Sequence, residues 1–295
     1  MNFDCLICGY SSGNVVTEKV RDSSEFKVMR CSNCSHIQLY PTPSQELDRK
    51  FYDENTQLKN WGGTKNIELF KQNSYHDTIR RVHYAEQIFG EKEKNKYKML
   101  EIGAGYGFFV QELLLRDYNI IGQEISTEKI LTAQKHYKVI LKDLDYNEFQ
   151  NHFDGIFMFQ VLEHIIDPIK FLKMIRNSLK NNGKLIIEVP NASDINLLNI
   201  KSYNDWYWQR AHIHYFNKKS LRHVLYEVGF KDINFIPVQR YSIVNMMNWY
   251  LNRQPQLENP IYYINEEEYK WIDDFYKDHL MKNFICDTIV AIGKN

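Results

Sequence analysis

Three groups of side chains in this 295-residue chain have the types and spacings that chemistry requires. The first is the run Glu101-Ile-Gly103-Ala104-Gly105-Tyr106-Gly107. Glycines at alternate positions let the backbone turn sharply and come close to a ligand, because a Cβ there would clash or forbid positive φ. The second is Gln160-Val-Leu-Glu163-His164, followed downstream by His212 and His214. Imidazole titrates near neutrality, so His164 is the first candidate for a general base, with Glu163 to orient it or stabilise its charged form. His214 is the candidate for contact with the substrate, and His212 is expected to be structural. The third group is Cys5-x-x-Cys8 and Cys31-x-x-Cys34. In a reducing compartment two such pairs read as a structural zinc site, four thiolates closing a tetrahedral shell with no open position. His36 is then surplus and expected at the surface, and the lone Cys286 is a small core residue.

The pattern around these groups supplies the elements that must present them. A buried strand from Lys98 runs into the glycine turn, and apolar residues at helical spacing (Phe109, Val110, Leu113, Leu114) predict a helix over Phe108–Leu115. Strand Asn119–Glu124 ends in an acid about where a nucleotide-binding α/β fold places a carboxylate for ribose hydroxyls. Ser126 caps a helix over Thr127–Tyr137, and a strand over Lys138–Leu141 leads to Asp143-Leu144. Strand Phe153–Phe159 delivers the Glu163-His164 pair. Asp167 and Pro168 then start a helix that Gly183 is expected to end. Strand Lys184–Asn191, a capped helix over Lys218–Val228, and strands Ile233–Val238 and Cys286–Gly293 complete the series. Alternating strands and helices predict an α/β, doubly wound Rossmann-like sheet of seven strands, with the chemistry at the carboxyl ends of the parallel ones.

Composition narrows the classes. Lysine plus arginine equals aspartate plus glutamate at 37 each, so no basic field marks a nucleic-acid or anionic-membrane partner. No apolar run approaches the ~20 residues of a membrane helix. The start, Met-Asn-Phe-Asp-Cys, has neither a basic nor an apolar leader pattern, so a cytoplasmic location is expected. Three parts are expected along the chain. Residues 1–43 form a zinc ribbon, with short strands over Asn14–Val20 and Glu25–Met29, closed by Pro41-Thr-Pro43. Residues 44–97 form a helical linker and lid, broken at Trp61-Gly62-Gly63, with Tyr75, His76 and His83 expected to face solvent. Residues 98–295 form the ligand-binding domain.

The spacing of the glycine run is not the Gly-x-Gly-x-x-Gly of a dinucleotide loop, since the third-glycine position is Phe108. The pattern Glu-x-Gly-x-Gly-x-Gly instead resembles motif I of the class I S-adenosylmethionine-dependent methyltransferases. The run from Val161-Leu-Glu-His to Lys184-Leu-Ile-Ile-Glu-Val-Pro-Asn191 is similar to the same superfamily. The resemblance implies that Glu101 meets the ammonium of the cofactor and that Gly103, Ala104, Gly105, Tyr106 and Gly107 admit its amino-acid part. It further implies that Glu124 and Ile125 serve the ribose, that Asp143 and Leu144 serve the adenine, and that Gln160 borders the same pocket. The cysteine pairs joined to this domain resemble nucleotide-sugar C-methyltransferases that carry an N-terminal zinc-binding domain. In those the Glu-His pair serves the reaction with histidine as base, which carries over to Glu163 and His164. Those enzymes place a tyrosine two residues before the glutamate, where this chain has Val161. O-methylation of a sugar or nucleotide-activated sugar is therefore expected, with carbon methylation and a ribbon-bearing RNA methyltransferase as alternatives. A metal-assisted variant resembles quinone-pathway enzymes with Glu-x-x-Glu-His, the first acid being Gln160 here.

Overall fold

The computed structural model describes residues 3–47, 66–90, 94–256 and 260–295; the expected break at Trp61-Gly62-Gly63 lies outside them. Three short strands come first: β1 (Gly13–Thr17), β2 (Lys27–Cys31) and β3 (Ile37–Tyr40). A long helix α1 (Ile67–Phe89) precedes the main alternation. That alternation runs β4 (Lys98–Ile102), α2 (Phe108–Leu114), β5 (Asn119–Gln123), α3 (Thr127–Thr132), β6 (Leu141–Lys142), β7 (Phe153–Phe159), α4 (Pro168–Ser178) and β8 (Leu179–Pro190). Two short helices, α5 (Ile195–Asn199) and α6 (Lys201–Tyr207), lead to β9 (His214–Tyr215). The chain then forms α7 (Lys218–Val228), β10 (Lys231–Val238), α8 (Ile243–Asn252), α9 (Glu267–Lys282) and β11 (Thr288–Lys294).

The large sheet has seven strands in the order β10-β11-β8-β7-β4-β5-β6. From β8 to β6 every neighbouring pair is parallel, while β11 is antiparallel to both β8 and β10. This is the predicted seven-stranded α/β sheet, with β10 and β11 closing it as an antiparallel pair. One face is covered by α1 and α2, where Val82, Ala85, Phe109 and Val110 pack on Met99 and Phe157. The approach of α1 requires glycine at one point, because a Cβ on Gly155 would lie 2.4 Å from the Phe89 ring. The opposite face is covered by α4 and α7, through Leu172, Ile175, Leu221 and Val224. None of the described helices is long and apolar enough to cross a membrane.

Three expectations need correction. The helix begun by Asp167 and Pro168 stops at Ser178 rather than near Gly183, because Leu179 turns into extended backbone, pairs with Phe153 and is 2% exposed. Gly183 instead serves a kink within β8, where a Cβ would come 2.9 Å from the Lys180 carbonyl oxygen. The N-terminal sheet has four strands rather than two, in the order β1-β2-β3-β9. Its last strand is borrowed from the segment after α6, with Ile37 opposite Tyr215 and Gln38 opposite His214. It also shares its interior with the large domain. Phe3, Cys5, Ile7 and Met29 join the cluster of Leu162 and Phe216, and Val28, Ile37 and Leu39 pack with Trp208 and Tyr215. His36, expected at the surface, is fully buried in this seam.

Candidate active site

The carboxyl ends of β7, β4, β5 and β6 lie side by side, and each carries a residue of the sequence-based set. The glycines after β4 all have positive φ, +68° at Gly103, +58° at Gly105 and +76° at Gly107. They differ in what they face. A Cβ on Gly103 would strike Val161 at 2.5 Å and one on Gly107 would press on Val139 at 3.0 Å, whereas Gly105 has nothing within 4 Å. Packing therefore explains the outer two, and open space beside the loop is left at Gly105. Ala104 is buried and its N–H donates to the Gln123 carbonyl at 2.8 Å, while the Tyr106 ring meets Phe70 edge-on at 5.6 Å.

Glu101 ends β4 at 5% exposure, and its Oε2 has no partner among the described residues. Burial pushes its carboxyl up to about 8, with Arg81 pulling down and Glu124 adding to the rise. Glu124 is also buried, but its carboxylate is occupied. It accepts from the N–H groups of Gly105 at 2.8 Å and of Ile125 and Ser126 at 2.9 Å, tying the loop after β4 to the one after β5. Asp143 is exposed beside half-buried Leu144 and accepts from the Gln123 amide at 3.3 Å. The Gln160 N–H donates to the Glu188 carbonyl at 2.8 Å and its side-chain amide reaches the Glu188 carboxylate at 3.2 Å.

Beyond Gln160, a single tight turn holds Glu163 and His164. Glu163 is 1% exposed, neither carboxyl oxygen has a partner among the described residues, and burial pushes the group up to about 8. His164 donates through Nδ1 to the Ala211 carbonyl at 2.7 Å, and burial pushes its imidazole down to about 4, so it is neutral at physiological pH. That bond fixes the tautomer and leaves Nε2 as the basic atom. The His212 ring lies edge-on to His164 at 4.9 Å. His212 Nε2 is 3.1 Å from the Gln209 amide, and its buried Nδ1 lacks a partner among the described residues. One ligand atom from each of Glu163, His164 and His212 lies within 4.8 Å of the others.

His214, expected at the substrate, is elsewhere. It is 1% exposed, with Nδ1 2.9 Å from His36 Nε2 in the seam with the N-terminal sheet and Nε2 3.4 Å from the Ile166 carbonyl oxygen, so both nitrogens are engaged within the fold. His212 sits in the bend before β9, outside the strand, and reaches the Glu163 side instead.

The sequence reading missed a buried ionic cluster beneath α1. Glu188, 0% exposed in β8, accepts from Arg80 at 2.7 Å and from Arg81 at 2.5 Å. Arg80 also donates to Asp77 at 2.7 Å, and Asp77 binds the Arg240 guanidinium. Burial alone would raise Glu188, but Arg80 and Arg81 outweigh it and hold the carboxylate down at about 2. A signal was present, since a glutamate inside Leu-Ile-Ile-Glu-Val must bring its own counter-charges. Tyr75, His76 and His83 on the same helix face solvent, as expected.

At the far end of the N-terminal sheet the four cysteine thiols converge. Cys5 and Cys34 sulfurs are 3.5 Å apart, Cys8 and Cys31 sulfurs 3.6 Å, and all four lie within 4.8 Å of one another. A tetrahedron of thiolates around zinc, at Zn–S ~2.3 Å, has edges of about 3.8 Å. The pocket has that size.

A profile of the methyltransferase domain matches residues 70–234, more than half of the chain. An uncharacterized protein of Methanocaldococcus jannaschii is 32% identical over 116 residues, 39% of this chain and 49% of its own length. The ubiquinone biosynthesis O-methyltransferase of Actinobacillus pleuropneumoniae serotype 7 is 27% identical over 130 residues, 38% of this chain and 53% of its own. The chain thus spans about half the length of these curated relatives. Among solved structures, a SAM-dependent methyltransferase from Archaeoglobus fulgidus aligns with TM-score 0.51 at 17% identity, covering 78% of this chain and all of the other. A Haemonchus contortus phosphoethanolamine N-methyltransferase, solved with phosphomonomethylethanolamine and S-adenosylhomocysteine, gives TM-score 0.51 at 17% identity, over 88% of this chain and 61% of its own. On the profile match, with the sheet order and the glycine loop in agreement, the chain belongs to the methyltransferase domain family and has the fold of S-adenosylmethionine-dependent methyltransferases.

Proposed function

We propose that the chain transfers a methyl group from S-adenosylmethionine to an oxygen of a small-molecule acceptor, a sugar or nucleotide-activated sugar. The observation that carries the cofactor reading is the pairing of open space at Gly105 with the buried, partnerless Oε2 of Glu101. An ammonium placed there would satisfy the orphaned oxygen and draw Glu101 into its charged form. Gly103, Ala104, Gly105, Tyr106 and Gly107 would hold the amino-acid part, and Glu124, Ile125, Asp143, Leu144 and Gln160 the nucleoside. When bound, the cofactor supplies an electrophilic methyl on a sulfonium. The work left to the protein is alignment and proton removal. His164 accepts the hydroxyl proton at Nε2, since Nδ1 is committed to Ala211. Glu163, with a carboxyl oxygen within 4.8 Å of the facing imidazole nitrogens, orients His164 or stabilises its charged form, and His212 borders the same spot. The sugar acceptor rests on the resemblance of the Glu163-His164 pair and the cysteine pairs to nucleotide-sugar methyltransferases. Cys5, Cys8, Cys31 and Cys34 hold a structural Zn²⁺, a reading supported by the spacing of their sulfurs.

A second reading has its own observation. The mutual reach of Glu163, His164 and His212 also suits a divalent cation, the His164 imidazole being oriented by the bond from its Nδ1 to the Ala211 carbonyl. Chelator-treated enzyme, zinc-replete at the four cysteines, separates the two. Turnover restored by Mg²⁺ or Mn²⁺ favours the cation, and turnover indifferent to them favours the base.

The main test is calorimetry with S-adenosylmethionine, followed by turnover over nucleotide-activated sugars with mass detection. His164→Ala is expected to keep cofactor affinity and lose ~10²- to 10⁴-fold in turnover. Undiminished turnover would move the base to His212, and no cofactor binding by the wild type would refute the reading altogether.

A further inference from the structure

The same edge of the sheet carries a cleft at the ends of β8, β10 and β11, open to solvent and with a cavity volume of about 80 Å³. Two carboxyls line it: Asp194, which follows β8 and caps α5, and Asp287, which precedes β11. Its aromatic wall is Tyr203 and Trp206 of α6 and Trp249 of α8, with centroids 5.1 Å apart for Tyr203–Trp249 and 5.3 Å for Trp206–Trp249. Asp194 is 1% exposed and accepts the Asn196 N–H at 2.8 Å. Burial and then Asp287 push it up to about 8, while the N–H groups of Asn196 and Leu197 and the Tyr203 hydroxyl work against the rise. Asp287 is pushed up to about 6 by burial, with Arg240 working against the rise. Arg240 is itself engaged with Asp77.

One further side chain in the lining points to an occupant. The Oε1 of Gln256 is buried and orphaned. The cleft lies on the same sheet edge as the Glu163 turn, Asp194 following β8 and Glu163 following its parallel neighbour β7. A neutral polyol would satisfy the Gln256 oxygen and lie on the rings, yet leave Asp194 buried without a counter-charge. A protonated nitrogen answers both needs, through charge-assisted hydrogen bonds and the negative faces of the indoles.

We propose that this cleft takes a ligand bearing a protonated nitrogen, held by Asp194 and Asp287, with its body against Trp206 and Trp249. To name that ligand as the acceptor, an amino sugar or similar amine, rests on the methyltransferase reading above.

D-Glucosamine, D-glucose and tetramethylammonium titrated against the full chain by tryptophan fluorescence test the proposal. Glucosamine is expected to bind at least ~10-fold more tightly than glucose, the scale of a charge-assisted hydrogen bond. Tetramethylammonium should also bind. Asp194→Asn keeps the helix cap, because asparagine caps as well as aspartate. It should erase the glucosamine preference and leave glucose unchanged, and Asp287→Asn provides the same reading should the first variant fail to fold. Equal affinity for the two sugars, no binding of any probe at millimolar concentration, or a preference that survives both substitutions would overturn the proposal. Calorimetry with S-adenosylmethionine keeps the readings apart. Failure of the wild type to bind it would refute the methyltransferase and leave the charge preference of the cleft standing.

Discussion

Glu188 and Glu163 are the same residue at nearly the same burial, 0% and 1% exposed, on adjacent parts of one sheet edge. One is held down at about 2 by two arginines, and the other is pushed up to about 8 with no partner for either oxygen. The contrast separates scaffold from site. A buried charge that fastens a helix arrives with its counter-charges in place, whereas one kept for chemistry is left wanting a partner. Glu101 falls on the second side of this divide, and Asp77 with Arg240 on the first.

The largest effect that can break the comparison is Glu188→Leu. It strands Arg80 and Arg81 under α1, so urea unfolding should show a loss of ~3–5 kcal/mol. A loss near zero would mean the cluster holds nothing. Next comes Gly105→Arg, which fills the open space at Gly105. Cofactor affinity measured by calorimetry should fall at least ~100-fold, a ~3 kcal/mol loss, while the positive φ adds ~1–2 kcal/mol of instability. Unchanged affinity would detach the loop from the cofactor. Glu163→Leu should be the mirror of Glu188→Leu, with stability at pH 7 equal to or above that of wild type and turnover abolished. A variant as damaged as Glu188→Leu would place Glu163 among the scaffold residues.

The smallest and sharpest difference is in pH dependence. A carboxyl raised to about 8 in the folded chain, against ~4.3 when unfolded, keeps its proton longer in the native state. Its stabilisation is complete below ~4.3 and is lost as pH rises through 8, with a slope of at most ~1.4 kcal/mol per unit for one proton. Glu188 works in the opposite sense, with stabilisation present above ~4.3 and lost as pH falls towards 2. Between pH 5 and 8 the stability of Glu163→Leu should therefore decline less steeply than that of wild type. Cofactor binding should also release a proton from Glu101 at neutral pH, read from the buffer dependence of the binding heat.

What could be read in advance follows the same division. The glycine loop is written in residue identity, since positive φ at Gly103, Gly105 and Gly107 is a local backbone demand. The α/β class follows from the alternation of strands and helices. The ionic cluster joins Arg81 to Glu188 across 107 positions, and no local pattern states which distant strand answers which helix. The exchange of His212 for His214 has a similar origin. Which histidine faces Glu163 is decided by the pairing of Gln38 with His214, a partnership made more than 170 residues away along the chain. The early end of α4 was hidden because Leu179 obeys the pull of Phe153 rather than the stop at Gly183.

That borrowed strand has a practical consequence. A chain begun at residue 44 would strip the wrapping from Trp208, Tyr215 and Phe216 and deprive His214 of His36. The four-cysteine piece looks like a handle on the outside of an enzyme. It is built as the bedrock beneath the histidine segment, and trimming it for convenience would leave the working residues standing on nothing.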